Sequence, residues 1–401
     1  MISYFEALEI LKTSLSEIFQ DCKTESVLIE DSLGRVLAED IISDIDQPSF
    51  DTSAMDGIAV FSMESPWKLV GEIRAGDSKE YILSSNECFS VMTGTRIPEN
   101  TFSVIPIEEI ILKEGFYYLK TDSQIKPKVN IRFQGEDLKK SEITIPKFSI
   151  INSSMISTIA TCGYSNLLVK KKLNVSIFAT GDELIIIDKI PVNSEVRASN
   201  LYSLSILAKE RNLEVIRKRI LIDEKDSIKK AILEASLDSD LILTTGGISM
   251  GKFDLIPEVL NELGAKTLIN KTNIKPGKPF LYNILIKNNK ITPIVSFPGN
   301  PVSSFVTFVV YLIPSLNYAI TGTKFQKKIF ATTSETLRKK DSKLHFLRGN
   351  IFLESEINYF KKTKGDSSAD MNGLGNSNVL GIFPESKNLI EIGEKIECIL
   401  L

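Results

Sequence analysis

Thr244-Thr-Gly-Gly-Ile-Ser-Met-Gly251, followed by Asp254 and Pro257, decides how the fold is read. It continues an apolar run, Asp240-Leu-Ile-Leu-Thr-Thr245, whose unbroken hydrophobicity predicts a strand buried on both faces. The glycines allow a sharp turn, and Pro257 suits the first turns of a helix. A strand that delivers a glycine-rich loop to a helix start lets backbone N–H groups approach an anion. Asp254 has the chemistry to hold a divalent cation against a phosphate. The same residues also suit a plain tight turn with an acid at the helix start.

Outward from this stretch the pattern is strand, loop, helix. Asn174 to Ala179 reads as a strand, Ser199 to Glu210 as a helix, Glu214 to Ile222 as a strand and Lys225 to Ser236 as a helix. Such alternation predicts a parallel α/β domain over 173–326. Upstream, residues 46–145 carry short apolar stretches between turn residues and read as an inserted β-rich domain. Phe5, Leu8, Leu11, Leu15 and Ile18 recur at helical spacing, and a second helix is expected near Asn152 to Thr161. Segments 1–45 and 146–172 are read as one split N-terminal domain, and 327–401 as a C-terminal β domain.

Composition narrows the chemistry. The chain has 401 residues, a net charge of −3 and a single histidine, His345. One histidine cannot build a multi-histidine metal site. The acidic balance argues against a broadly basic nucleic-acid binder. Four dispersed cysteines without a CxxC pair argue against a zinc or dithiol site and suit a reducing, cytoplasmic compartment. The N-terminus lacks the basic and apolar regions of a signal peptide. The longest apolar run, Phe305 to Ile313, is broken by Pro314 and reads as too short to cross a membrane.

Four further segments carry candidate chemistry. Lys275-Pro-Gly-Lys-Pro279, with Lys271 nearby, is a stiff loop that holds its lysines in place, or a solvated turn. Phe297-Pro-Gly-Asn-Pro-Val-Ser303 follows a strand and precedes a helix. It suits a helix cap or a second anion-facing loop at the carboxyl edge of the sheet. Thr180-Gly-Asp-Glu-Leu184 carries two adjacent acids after a strand. Asp51-Thr-Ser-Ala-Met-Asp-Gly57 is dense in small polar residues, as are Met92-Thr-Gly94 and Arg132-Phe-Gln-Gly-Glu-Asp137.

Together with His345-Phe-Leu-Arg-Gly-Asn350, these segments resemble the molybdopterin molybdotransferase family, the MoeA type that includes the gephyrin E domain. They occur in family order and span nearly the whole chain. The resemblance implies an elongated N-terminal domain, an inserted β domain, a central three-layer molybdopterin-binding-like domain and a C-terminal β-barrel-like domain. It implies insertion of molybdate into adenylylated molybdopterin with release of AMP, a magnesium ion, a homodimer and no nucleic-acid or membrane partner. Roles carry over by position. Gly246, Gly247 and Ser249, with Pro298, Asn300 and Pro301, would hold the nucleotide side of the substrate, and Asp254 the magnesium. Lys271, Lys275, Lys278, Ser303, Arg348 and Ser368 would hold molybdate. Asp56, Thr93, Asp137, Glu183 and Asp223 match polar positions near the family's catalytic site.

The chain departs from the family pattern at Pro98-Glu-Asn-Thr-Phe102, Lys126-Pro-Lys128 and Ala198, and in the last domain at Ala369 and Asn372-Gly373. A molybdopterin adenylyltransferase, which shares the central domain, is the alternative enzyme. It would not need residues 1–170 or 327–401. Such an adenylyltransferase is also the expected partner that supplies the substrate.

Overall fold

A computed structural model of the chain describes residues 1–19, 22–120, 125–248, 254–323, 328–365 and 371–401. It divides into two compact units. The first comprises Met1–Glu25, Gly34–Val36 and Val169–Leu401; the second comprises Ser26–Leu33 and Leu37–Leu168. The split N-terminal domain expected from sequence, 1–45 and 146–172, has parts in both units.

The first unit is built on a six-stranded sheet. Its order is Glu214–Leu221, Asn174–Thr180, Leu241–Thr245, Lys290–Phe297, Leu281–Lys287 and Lys266–Ile269. The first four strands are parallel, Leu281–Lys287 runs antiparallel to its neighbours on both sides, and Lys266–Ile269 at the edge again runs with the first four. Side chains alternate between faces, as strand geometry requires. Val175, Ile177, Leu241 and Leu243 face helix Ser199–Glu210 and the helical stretch beginning at Pro301. Phe178, Ile242 and Ile294 face helices Lys225–Asp238 and Ile256–Glu262. Each fully buried side chain of this size contributes about 1.5–3 kcal/mol. The result is the three-layer α/β/α arrangement expected from the alternation.

The N-terminal helix runs from Tyr4 to Phe19 and joins the same core. Its buried stripe begins at Tyr4 and Ala7, not at Phe5, which is 68% exposed. The stripe is therefore rotated by one residue from the expected one, although Leu11 and Leu15 hold their places.

The stretch 301–321 corrects a sequence expectation. Pro314 does not end it: α-helix Pro301–Thr307 passes through a π-turn, Phe308–Leu312, into α-helix Ile313–Thr321. By length and composition it could cross a membrane, but most of it is buried inside the first unit. Proline lacks the N–H that would bond the carbonyl four residues earlier. That carbonyl belongs to Val310, and the Tyr4 hydroxyl donates to it at 3.3 Å. The first helix thus supplies the donor that Pro314 lacks.

The C-terminal part of the first unit is a closed barrel. Strand Leu344–Glu354 pairs with Ile357–Lys362 and with Val379–Phe383. The circuit closes through Lys395–Leu400 and Lys328–Thr333. Ile274–Lys275 adds a short parallel strand beside Leu344 and His345. Phe360 fills the interior, and the Cβ of any residue at Gly349 would lie 2.2 Å from its ring.

The second unit carries a sheet ordered Ser103–Pro106, Gly57–Val60, Glu87–Val91, Trp67–Ile73, Phe116–Leu119, Ile110–Lys113. It matches the β-rich texture expected over 46–145. Trp67 is fully buried, with its indole N–H donating to the Ser62 carbonyl at 3.2 Å. Helix Ser153–Thr161 is capped by the Asn152 side chain, which accepts from the N–H groups of Ser154 and Met155.

Tyr4→Phe keeps the packing and removes the hydroxyl that donates to the Val310 carbonyl. The expected loss is about 1–2 kcal/mol. Urea unfolding followed by circular dichroism reads it; an unchanged midpoint would mean that the hydroxyl does not support the helix.

Candidate functional site

The site grows from the carboxyl edge of the central sheet. Register places Ala179 beside Thr245, and Thr245 beside Phe297, so these strands end level. Their loops then crowd one another. A Cβ at Gly246 would lie 2.5 Å from the Thr180 carbonyl, and one at Gly247 would lie 2.9 Å from the Thr180 hydroxyl. Both glycines also adopt positive φ, 89° and 63°. No side chain fits there.

Asn200 staples the loops. Its amide donates to Thr245 Oγ1 at 2.9 Å and to the Gly299 carbonyl at 2.7 Å. Thr245 Oγ1 in turn donates to the Pro298 carbonyl at 3.0 Å. The cavity they enclose has a volume of about 600 Å³. It is lined by Gly246, Gly247, Pro298, Asn300 and Pro301, together with Glu183, Asp223 and Asp254. The expected nucleotide-side residues and three of the expected carboxylates are therefore gathered in one place. Ser249 lies outside the described residues.

These carboxylates repel one another. Asp223 is held above the ordinary aspartate range, first by burial and then by the charges of Asp182, Glu183 and Asp254. The Asp223 N–H donates to Asp182 Oδ1 at 2.9 Å. Among the described residues, no three His, Cys, Asp or Glu side chains are grouped so as to hold a metal ion between them. Magnesium commonly takes only one or two carboxylates and completes its shell with water and substrate phosphate. An acidic wall with a raised aspartate fits that demand.

A second cavity, of about 520 Å³, has the opposite character. Lys275, Lys278, Ser303 and Arg348 line it, as the sequence led us to expect. The loop carrying the two lysines closes on itself through Thr272 N–H to the Lys278 carbonyl, 3.1 Å. A Cβ at Gly277 would lie 2.3 Å from Thr307 Cγ2, so the loop lies hard against the following helix. Arg348 is 7% exposed and donates to the Gly365 carbonyl at 2.8 Å. The helix N-cap is Asn300, without a side-chain capping bond, so Ser303 sits inside the helix and not at its cap.

Sequence reasoning missed the opposite wall, the turn Arg338-Lys-Lys-Asp-Ser-Lys343, and also Lys362. The cluster of basic residues in that turn was the available signal. Asn200 was also missed as a staple. Lys271 lines neither cavity; its carbonyl accepts from the Ile2 N–H at 3.1 Å. Ser368 and Ala369 lie outside the described residues. Asn372 and Gly373 fall in the short helix Met371–Gly375. Pro279 and Asn300 line both cavities, so the acidic and basic pockets share a wall.

In the second unit, Asp56 accepts from the Thr93 N–H at 2.7 Å and from its hydroxyl at 2.9 Å. Those bonds, the backbone one first, hold its carboxyl below the usual aspartate range. Asp137 pairs with Arg132, which also binds Glu136 at 3.0 Å. Backbone bonds from Gly94 to Ser53 and from Ala54 to Asn130 knit these three loops together.

Comparison with known proteins gives a consistent result. Residues 2–163 match the model of the MoeA N-terminal region (domain I and II), and residues 176–318 match that of a probable molybdopterin binding domain. A molybdopterin molybdenumtransferase of Haemophilus influenzae is 30% identical over 383 residues, covering 93% of each chain. One from Staphylococcus aureus is 28% identical over 386 residues, covering 94% of this chain and 90% of the relative. The crystal structure of a molybdopterin biosynthesis moeA protein from Pyrococcus horikoshii superposes with a TM-score of 0.82 at 26% identity, covering 100% of both chains.

The raised Asp223 proton affinity has a testable sign. A carboxyl whose folded pKa is raised stabilises the fold while protonated, and that contribution is lost as pH rises through the raised value. At neutral pH the charged group is therefore a cost. Asp223→Asn should raise Tm by about 1–3 °C at pH 7 and leave it unchanged near pH 3, where aspartates are protonated. A lower Tm at pH 7 in thermal melts would contradict the repulsion.

Proposed function

The chain belongs to the MoeA family of molybdopterin molybdenumtransferases, and from that membership we propose that its two abutting cavities divide the work of molybdate insertion. The activity is transfer of molybdenum to molybdopterin. In its finer form the substrate is adenylylated molybdopterin, the second substrate is molybdate, and the products are molybdenum cofactor and AMP. The shared wall at Pro279 and Asn300 is the observation that carries this reading, because it sets a phosphate-suited pocket beside an oxyanion-suited one.

In the first cavity the glycine turn presents backbone to the nucleotide phosphate with no side chain between them. Asp254, supported by Glu183 and Asp223, would hold a magnesium ion. When bound, the ion neutralises phosphate charge and polarises the phosphoanhydride. In the second cavity Lys275, Lys278 and Arg348 neutralise a tetrahedral dianion, and Ser303 offers a hydroxyl donor. Arg348 is already ordered by its bond to Gly365, so less freedom is lost on binding. Cleavage of the anhydride then depends on positioning and charge neutralisation.

Asp56, Thr93 and Asp137 of the second unit belong to the same proposal because they match polar positions near the family's catalytic site. So do the homodimer, a cytoplasmic setting and delivery of substrate by an adenylyltransferase partner. The adenylyltransferase reading of this chain itself is not favoured. The molybdenumtransferase relatives match more than nine-tenths of its length, including the segments an adenylyltransferase would not need.

Purified protein supplied with adenylylated molybdopterin, molybdate and magnesium should release AMP. Given molybdopterin and ATP without molybdate, it should accumulate no adenylylated product; accumulation would favour the alternative. Asp254→Ala should cut molybdate-dependent AMP release by about 100-fold or more while the circular dichroism spectrum stays native. Lys275→Ala should raise the molybdate requirement by about tenfold with little change in nucleotide affinity. Equal loss of both affinities would remove Lys275 from the oxyanion role.

A further inference from the structure

The cationic cavity contains an anomaly. Among the described residues that line it, Asp341 is the only carboxylate and His345 the only imidazole. His345 is also the only histidine in the chain. His345 Nε2 and Asp341 Oδ1 lie 2.7 Å apart, and Asp341 Oδ2 is 3.9 Å from Lys275 Nζ. One carboxylate therefore touches both the histidine and a lysine of the oxyanion site.

The fold holds the histidine firmly. His345 is 7% exposed and pairs with Lys275 on one neighbouring strand and with Phe383 on the other. The Phe383 ring meets the imidazole edge-on at 6.4 Å. Lys339 faces it from the turn, but the Lys339 ammonium donates to the carbonyls of Lys343 and Pro384. Glu385 acts on Lys339. The charges around the imidazole are thus Asp341, which favours its cation, and Lys275 and Lys339, which oppose it. Burial is the largest influence and holds the imidazole below the usual histidine range.

We propose that Asp341 and His345 form a proton-linked counter-ion for Lys275, which governs how the cavity accepts a tetrahedral dianion. While His345 is neutral, the Asp341 charge is directed at Lys275 and competes with the dianion. When His345 takes a proton, its cation satisfies Asp341, and Lys275 is released to the ligand. No bond is made or broken; one proton is taken up from solvent as the dianion binds. His345 is in this sense a positioning residue, acting on the ligand through Asp341 and Lys275. The inference rests on the oxyanion reading of this cavity.

Calorimetric titration of the full chain with micromolar molybdate between pH 5.5 and 7.5 tests it. One linked proton allows up to about a tenfold change in affinity per pH unit. The wild type should bind about five- to tenfold more tightly at pH 5.5 than at pH 7.5. His345→Gln keeps an N–H for Asp341 but cannot titrate, and should vary less than twofold. Asp341→Asn should bind more tightly than the wild type at pH 7.5. A His345→Gln protein with the wild-type slope, or an Asp341→Asn protein that binds no more tightly at pH 7.5, would overturn the proposal. A purely structural histidine would weaken binding equally at every pH and leave the slope intact. Wild-type protein that binds no molybdate at any pH would overturn the oxyanion reading itself, and this inference with it.

Discussion

Everything at the candidate site depends on how closely the strand ends at Thr180 and Thr245 approach each other. The distance of 2.5 Å from the Thr180 carbonyl to where a Gly246 Cβ would stand leaves room only for hydrogen. That approach follows from register, because parallel strands that end level discharge their loops along one edge. Ligands of open α/β sheets lodge in the crevice beyond those carboxyl ends. The glycines, the Asn200 staple and the placement of Asp223 and Asp254 around one cavity are consequences of the same convergence.

The second organising fact is segregation of charge. Acidic residues predominate in one cavity, which Arg197 also lines, and basic residues in the next, which holds Asp341; the two share Pro279 and Asn300. Were Asp254 and Lys275 close enough to pair, each would neutralise the other and neither would attract a ligand. Kept apart, the acidic set bears a mutual repulsion that a cation relieves, while Asp341 partly offsets the basic set at Lys275. The upward displacement of Asp223, caused first by burial, carries that repulsion as its second cause. A stiff wall suits this purpose: proline contributes little flexibility, and Asn300 is anchored at the start of a buried helix.

Much of this was legible in the sequence, for local reasons. Helix Ser199–Glu210 falls at its expected limits because propensity, periodicity and flanking loops agree there. The glycine loops were legible because close approach leaves a compositional trace. What was not legible depends on partners distant in sequence. Nothing near Pro314 announces that Tyr4 will supply its missing donor. Nothing in residues 338–343 indicates that the turn faces the Lys275 loop, since that meeting is made by barrel closure and by pairing of Ile274 with Leu344. The lone histidine is conspicuous in the sequence, but its burial and its tie to Asp341 and Lys275 are properties of the tertiary structure.

Some of the unpaired polar atoms lie at the same edge. Among the described residues, buried side-chain oxygens without a partner are Thr180 Oγ1, Asn200 Oδ1, Thr244 Oγ1, Ser296 Oγ and Ser304 Oγ, and also Ser16 Oγ, Asn283 Oδ1 and Tyr311 Oη, which line neither cavity. Thr244 and Ser296 are register partners near the strand ends, and Thr180 and Asn200 line the first cavity. Each such atom costs about 1–3 kcal/mol when water cannot reach it. A fold selected for stability alone would fill these positions with valine or alanine, as it does one layer deeper at Ile177 and Leu243. Violations of polar satisfaction gather where function opposes stability. Here two of them, Thr180 and Asn200, line the crevice that the glycines open, so part of that cost falls at the edge that carries the candidate chemistry.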